Sequence, residues 1–162
     1  MGFGEAIRVC FSKYADFGGR ARRSEYWYFY LFCFLVGLVA SVLDRIVAGA
    51  ASAPGFRPIS LILNLALLLP SLAVTVRRLH DTNRSGWLLL GWIGYVFAAV
   101  IVYFIILATL RSAFGTLIPA VVLGVGALGY AIFLFVCMVQ NGTAGQNAYG
   151  SDPKGPDVAV FS

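Results

Sequence analysis

Four apolar stretches, Tyr26 to Leu43, Ile59 to Val76, Trp87 to Leu110 and Thr116 to Val139, constrain this chain more than anything else in it. A helix needs about 20 apolar residues to cross roughly 30 Å of hydrocarbon. Lipid offers backbone N–H and C=O groups no partners, so each stretch is predicted to be helical. A membrane barrel would instead show strands of about ten residues alternating apolar and polar, and none is present. Only 12% of the 162 residues are charged, about half the share in a soluble domain. The expected fold class is therefore all-α: an integral membrane protein with four transmembrane helices in a bundle.

The sequence Ala48-Gly49-Ala50 has the small residues of a signal-peptidase site. The basic leader runs to Arg23, however, the apolar core is too long, and Asp44-Arg45 intervene, so the first stretch reads as a retained span. Cys10, Cys33 and Cys137 show no CxxC spacing and read as small buried hydrophobes, with no metal site or cofactor implied.

Orientation follows from the cations. Arg8, Lys13, Arg20, Arg22, Arg23, Arg77, Arg78, Arg84 and Lys154 fall on one side of the four spans, and Arg45, Arg57 and Arg111 on the other. Lys- and Arg-rich loops stay cytoplasmic, so both termini are expected in the cytoplasm. The net charge of +5 is what this asymmetry produces, and no nucleic-acid partner is implied. Three regions result: a cytoplasmic segment with a basic cluster (1–25), the membrane domain (26–139) and a cytoplasmic tail (140–162). Within the first, Phe3, Ile7, Cys10, Phe11, Tyr14 and Phe17 recur at helical spacing. That predicts a short amphipathic interfacial helix ended by Gly18-Gly19; a helix packed on protein would show the same pattern.

Inside the spans, Gly37, Gly94 and Gly124 each pair with a small residue four positions away, which suits close helix packing within a bundle or between copies. Asn64 and Pro70 interrupt the second span, and Pro70 removes a helix hydrogen bond and is expected to kink the helix.

The densest polar segment is RRLHDTNRSGW, residues 77–87. Arg77 or Arg78 can reach Asp81 one turn on. Asn83 tolerates the left-handed conformation that ends helices, Ser85 can cap the next, and Trp87 anchors it at the interface. Arg20, Arg22 and Arg23 lie on the same side. Together with Arg77, Arg78 and Arg84 they form a candidate face for anionic headgroups or a partner protein. Glu25, His80 and Asp81 can instead draw the arginines into an internal network. His80 and Asp81 are adjacent and so face different ways on a helix, and no HExxH, GxSxG or P-loop spacing occurs; no catalytic residue is assigned.

The blocks FGGRARRSEYW (17–27), PSLAVTVRRLHDTNRSGW (70–87) and GQNAYGSDP (145–153) resemble the bacterial inner-membrane family labelled domain of unknown function 805. The family pattern usually has glycine where Asn83 stands and often a second aromatic where Leu88 stands. The resemblance implies a small multi-span protein of the bacterial cytoplasmic membrane and brings no established reaction. It also directs attention to the tail, where Asn147, Tyr149 and Asp152 are expected to fold back and complete a polar network with the arginines. A scaffold or accessory subunit in contact with membrane lipids, a complex partner or further copies of itself is the expected role. A small oligomeric channel or transporter using the kinked second span is the alternative, and a membrane enzyme acting on lipid comes third.

Overall fold

A computed structural model describes residues 1–48, 57–110 and 113–154. Five helices follow in order: α1 (Phe3–Ser12), α2 (Arg23–Ala48), α3 (Pro58–Asp81), α4 (Trp87–Leu110) and α5 (Ala113–Val139). The last four are long and apolar enough to cross a membrane, and the described residues form no strand, only an isolated bridge between Asn147 and Gly150. Arg111 and the end of Ala48-Gly49-Ala50 lie outside the described residues.

Helices α2, α3 and α5 exceed the apolar cores 26–43, 59–76 and 116–139. In α2 and α3 helical geometry continues into charged flanks. Asp44, only 2% exposed, shows how: its two oxygens accept the Ile59 and Ser60 amides, each at 2.9 Å. It thereby caps the first turn of α3 from the neighbouring helix, where a carboxylate also suits the helix dipole.

The spans pair as two hairpins, α2 with α3 and α4 with α5, which meet through α5 against α2 and α3. Tyr30 Oη and Thr75 Oγ1 lie 3.1 Å apart across the first hairpin. The second is tied by reciprocal tyrosines. Tyr95 donates to the Leu123 carbonyl (3.0 Å) and Tyr130 to the Leu88 carbonyl (2.8 Å). Each hydroxyl sits against a glycine of the opposite helix: Tyr130 against Gly91 and Tyr95 against Gly126. Hydroxyls bonded across helices suit a medium without water.

Among the described residues a Cβ at Gly37, Gly94 or Gly124 would meet nothing within 4 Å, so these glycines make no close helix approach there. The hairpins close through other faces, Gly91 and Gly126 among them. Asn64 is likewise exposed, with no side-chain hydrogen bond among the described residues. Pro70 is buried within a continuous α3. It cannot donate to the carbonyl four residues back, Ala66, and the Tyr14 hydroxyl donates to that carbonyl instead.

That bond also shows where the first helix differs from expectation. α1 stops at Ser12, six residues short of Gly18. The Ser12 hydroxyl bonds back to the Val9 carbonyl (2.9 Å), and Asp16 Oδ1 holds the Gly18 amide at 2.9 Å in a turn, before Gly19 takes φ +73°. Tyr14 and Phe17 thus leave the helical register and reach α3. Ala6 and Cys10 are buried, while Phe11 stands edge-on to Phe29 and Phe32 of α2.

Candidate functional site: a buried arginine knot

The end of α3 positions the site. Asn83 adopts φ +56°, and the Asn83 and Arg84 amides donate to the carbonyls of His80 (2.9 Å) and Leu79 (3.0 Å). This is a Schellman closure with asparagine in the left-handed position. Ser85 Oγ accepts the Trp87 amide at 3.3 Å and starts α4. The turn fixes the last α3 turn, and with it Arg77, Arg78, His80 and Asp81.

Asp81 is the hub. It is 2% exposed, and two buried arginines share its carboxylate. Arg20 binds Oδ1 through Nε (3.0 Å) and Nη2 (2.9 Å), while Arg78 Nη1 binds Oδ2. Their remaining donors reach main-chain carbonyls near the end of α5 and beyond. Arg78 donates to Met138 (3.2 Å) and Gln140; Arg20 donates to Thr143, to Gly145 (2.6 Å) and, at 3.4 Å, to Gly150. A planar guanidinium fork suits such multiple acceptors. The strip docks by main chain as well, since the Thr143 amide donates to the Asp81 carbonyl at 2.9 Å. Gly142 makes this approach possible: a Cβ there would overlap the Asp81 carboxylate.

A second ion pair lies beside the first. Arg77, with no exposed surface, donates Nη1 to Glu25 Oε1 at 2.6 Å, and its carbonyl accepts the Ala21 amide at 3.0 Å. Its Nε and Nη2 are buried without a hydrogen-bond partner among the described residues. The Cys10 sulfur stands 3.8 Å from Glu25 Oε1. Burial first, and the Glu25 charge second, push this thiol from the ordinary 9.0 up to about 12.

The six arginines considered as one headgroup-facing set therefore divide. Arg20 (7% exposed), Arg77 and Arg78 (both 0%) lie inside the protein and cannot meet a headgroup. The donors of Arg20 and Arg78 face the Asp81 carboxylate and main-chain carbonyls, and Arg77 is paired with Glu25 through Nη1, because a buried guanidinium needs an opposite charge beside it. Arg22, Arg23 and Arg84 stay half-buried at the rim. Arg23 donates to the Val139 carbonyl (3.2 Å), and the Arg84 guanidinium lies 4.8 Å from the Phe133 ring centroid, a cation–π distance.

The other network residues gather at the same end. Asn147 Nδ2 donates to the His80 carbonyl and to Thr143 Oγ1, each at 2.9 Å, and its Oδ1 accepts the Tyr149 amide at 2.8 Å. Tyr149 stacks flat on His80, with centroids 3.9 Å apart at 4°. Asp152 makes no hydrogen bond or ion pair with an arginine among the described residues. It accepts the Lys154 (2.8 Å) and Gly145 (3.1 Å) amides and staples the strip to itself, and these amides, Lys154 first, hold its carboxyl below the usual range. Asn64, Pro70, Gly37, Gly94 and Gly124 lie away from the knot, in the spans. Sequence reasoning missed Gly142 and Thr143, because the strip docks by main-chain groups and no side-chain pattern marks those.

The chain matches the family described as "Protein of unknown function (DUF805)" over residues 14–151. It is 34% identical over 144 residues to inner membrane protein YhaI of Escherichia coli (strain K12), covering 88% of this chain and 89% of that protein. It is 36% identical over 143 residues to inner membrane protein YhaH of the same organism, covering 88% and 90%. No solved structure matches.

Proposed function

This chain belongs to the DUF805 family and is a multi-pass inner-membrane protein; from that premise we propose that it acts as a non-enzymatic scaffold or accessory subunit. The observation that carries this reading is the inward direction of the motif chemistry. Arg20, Arg77 and Arg78 bind Glu25, Asp81 and the carbonyls of residues 138–150, so the most distinctive residues lock α2, α3 and the strip after α5 into one plate. What remains to face outward is a rim of Arg8, Lys13, Arg22, Arg23, Arg84 and Lys154. Each basic residue near an anionic leaflet is worth about 1 kcal/mol, so this rim meets headgroups or an acidic partner surface.

Both termini are cytoplasmic in this reading, because the plate gathers the basic side of every hairpin. α1 packs on α2 at the inner boundary of the membrane, deep enough for Tyr14, two residues beyond its end, to reach the Ala66 carbonyl inside α3. Phe3 (39%) and Phe11 (42%) keep exposed surface after packing, which an amphipathic helix turns to lipid.

Purification of the tagged chain from native membranes tests the role: one stoichiometric partner, lost when Arg22, Arg23 and Arg84 are changed to Gln, is expected. Recovery of the chain alone together with solute flux in reconstituted vesicles would overturn it. Reporter fusions after Asn83 and at the C-terminus test orientation, and periplasmic activity at either position would refute the topology.

A further inference from the structure

Only residues 82–86 join α3 to α4, and there the chain closes tightly: a Cβ on Gly86 would stand 2.6 Å from Val76 Cγ1. Beyond the turn the two helices part, α3 to pack on α2 and α4 on α5. The wedge between them is a groove of about 490 Å³, within the roughly 300–1,000 Å³ of small-molecule sites. From His80 down to Leu72 it runs along about 12 Å of helix, at 1.5 Å per residue.

The groove has two chemistries. Its trunk is hydrocarbon, with Leu72 and Val76 on one wall and Leu89, Leu90 and Ile93 on the other. Its end beneath the plate is polar, formed by His80, Ser85 and Tyr149. An unfilled wedge in a bilayer would forfeit dispersion contacts along both walls.

The polar end specifies a head. His80 Nδ1 lies 3.1 Å from the Gly19 carbonyl. A carbonyl only accepts, so the ring proton is on Nδ1 and Nε2 is a bare acceptor. Nε2 lies 3.5 Å from the Cβ position of Gly86, on the groove wall, and nothing among the described residues donates to it. Ser85 Oγ accepts the Trp87 amide and keeps its own proton to donate. The Tyr149 ring, stacked on His80, adds a face that attracts cations. No Lys or Arg lines the groove, so a headgroup of net negative charge finds no counter-charge there.

We propose that the α3/α4 groove is a binding site for one zwitterionic ethanolamine phospholipid, its acyl chain along Leu72–Ile93, its phosphate on the Ser85 hydroxyl and its ammonium donating to His80 Nε2. The site is separate from the arginine knot and does not depend on the scaffold role.

The test uses the full chain in choline-lipid nanodiscs with a trace of acyl-diazirine phospholipid bearing an ethanolamine, glycerol or choline head. The ethanolamine probe is expected to crosslink to the groove-facing segments of α3 and α4 well above the exposed Phe97 of α4. The choline probe, which has no N–H, is expected about fivefold lower, the worth of one hydrogen bond. His80→Asn keeps a donor for Gly19 but loses the Nε2 acceptor, and should erase that preference. Leu72→Trp should block groove labelling by all three probes, with Leu90→Phe as the second filling variant, each checked for wild-type thermal stability. Groove labelling no higher than at Phe97, preference surviving His80→Asn, or a glycerol probe favoured over ethanolamine would each overturn the proposal. So would labelling that rises on truncation after Lys154, which would make residues 155–162 the occupant.

Discussion

Asp81→Ala is the sharpest perturbation of the knot. The carboxylate is 3% exposed and the arginine side chains it joins, Arg20 and Arg78, are 1% and 0% exposed, so water reaches none of the three. Removing one partner of a buried ion pair costs about 3–5 kcal/mol, because the remaining charge stays desolvated. Two guanidiniums are stranded here. Each keeps carbonyl acceptors, Arg20 at Thr143, Gly145 and Gly150 and Arg78 at Met138 and Gln140, which holds the loss within that range and does not double it. Against a native stability of about 5–15 kcal/mol, the melting temperature should fall on the order of 10 °C. In a Cys33→Ala background a thiol-reactive fluorophore in detergent reads the transition, because Cys10 and Cys137 are buried until unfolding. Arg22→Ala, at the rim and without an ion pair among the described residues, is the control and should stay within about 0.5 kcal/mol. Equal melting of the two variants would refute the claim that Asp81 joins the helices to the strip.

Tyr14→Phe strands the Ala66 carbonyl and should cost about 1–3 kcal/mol. Pro70→Ala, which restores a main-chain donor to that carbonyl, should recover most of the loss in the double variant, and strictly additive denaturation midpoints would sink the pairing. Gly142→Ala drives a methyl into the Asp81 carboxylate and should destabilise by about 1–3 kcal/mol, whereas Gly124→Ala, with open space around it, should be silent in the same melt. The Cys10 thiol, raised from 9.0 to about 12, should resist maleimide near pH 8 in a Cys33→Ala/Cys137→Ala background, since only thiolate reacts. A raised thiol pKa favours the folded state fully below pH 9.0, and this contribution is lost as pH climbs towards about 12; fast labelling of folded protein at pH 8 would contradict the burial.

What could be read in the sequence, and what could not, divides along one physical line. Four helices were legible because a bilayer demands long apolar runs whatever the tertiary contacts. The Asn83 turn and the Ser85 cap were legible because local backbone chemistry decides them. Small-residue spacing at Gly37, Gly94 and Gly124 does not tell a contact within the bundle from one between copies, and among the described residues it is Gly91 and Gly126 that make the close approaches to tyrosine hydroxyls. The arginines were the hardest case. Composition places them at the wet boundary, and half of the six candidates are instead withdrawn from water by carbonyl acceptors that every residue carries and no sequence advertises. The same reasoning explains why Pro70 and Tyr14 escaped notice as a pair. Proline marks a freed acceptor, but its donor lies 56 residues earlier, past the end of α1, and is identified only by where the chain goes after Ser12. In a protein with so few charges, each buried cation must find oxygen, and the main chain beyond α5 provides more of it than the carboxylates do. That ratio accounts for the ordered, glycine-rich strip at 142–150: its side chains matter less than the carbonyls it brings within reach of Arg20.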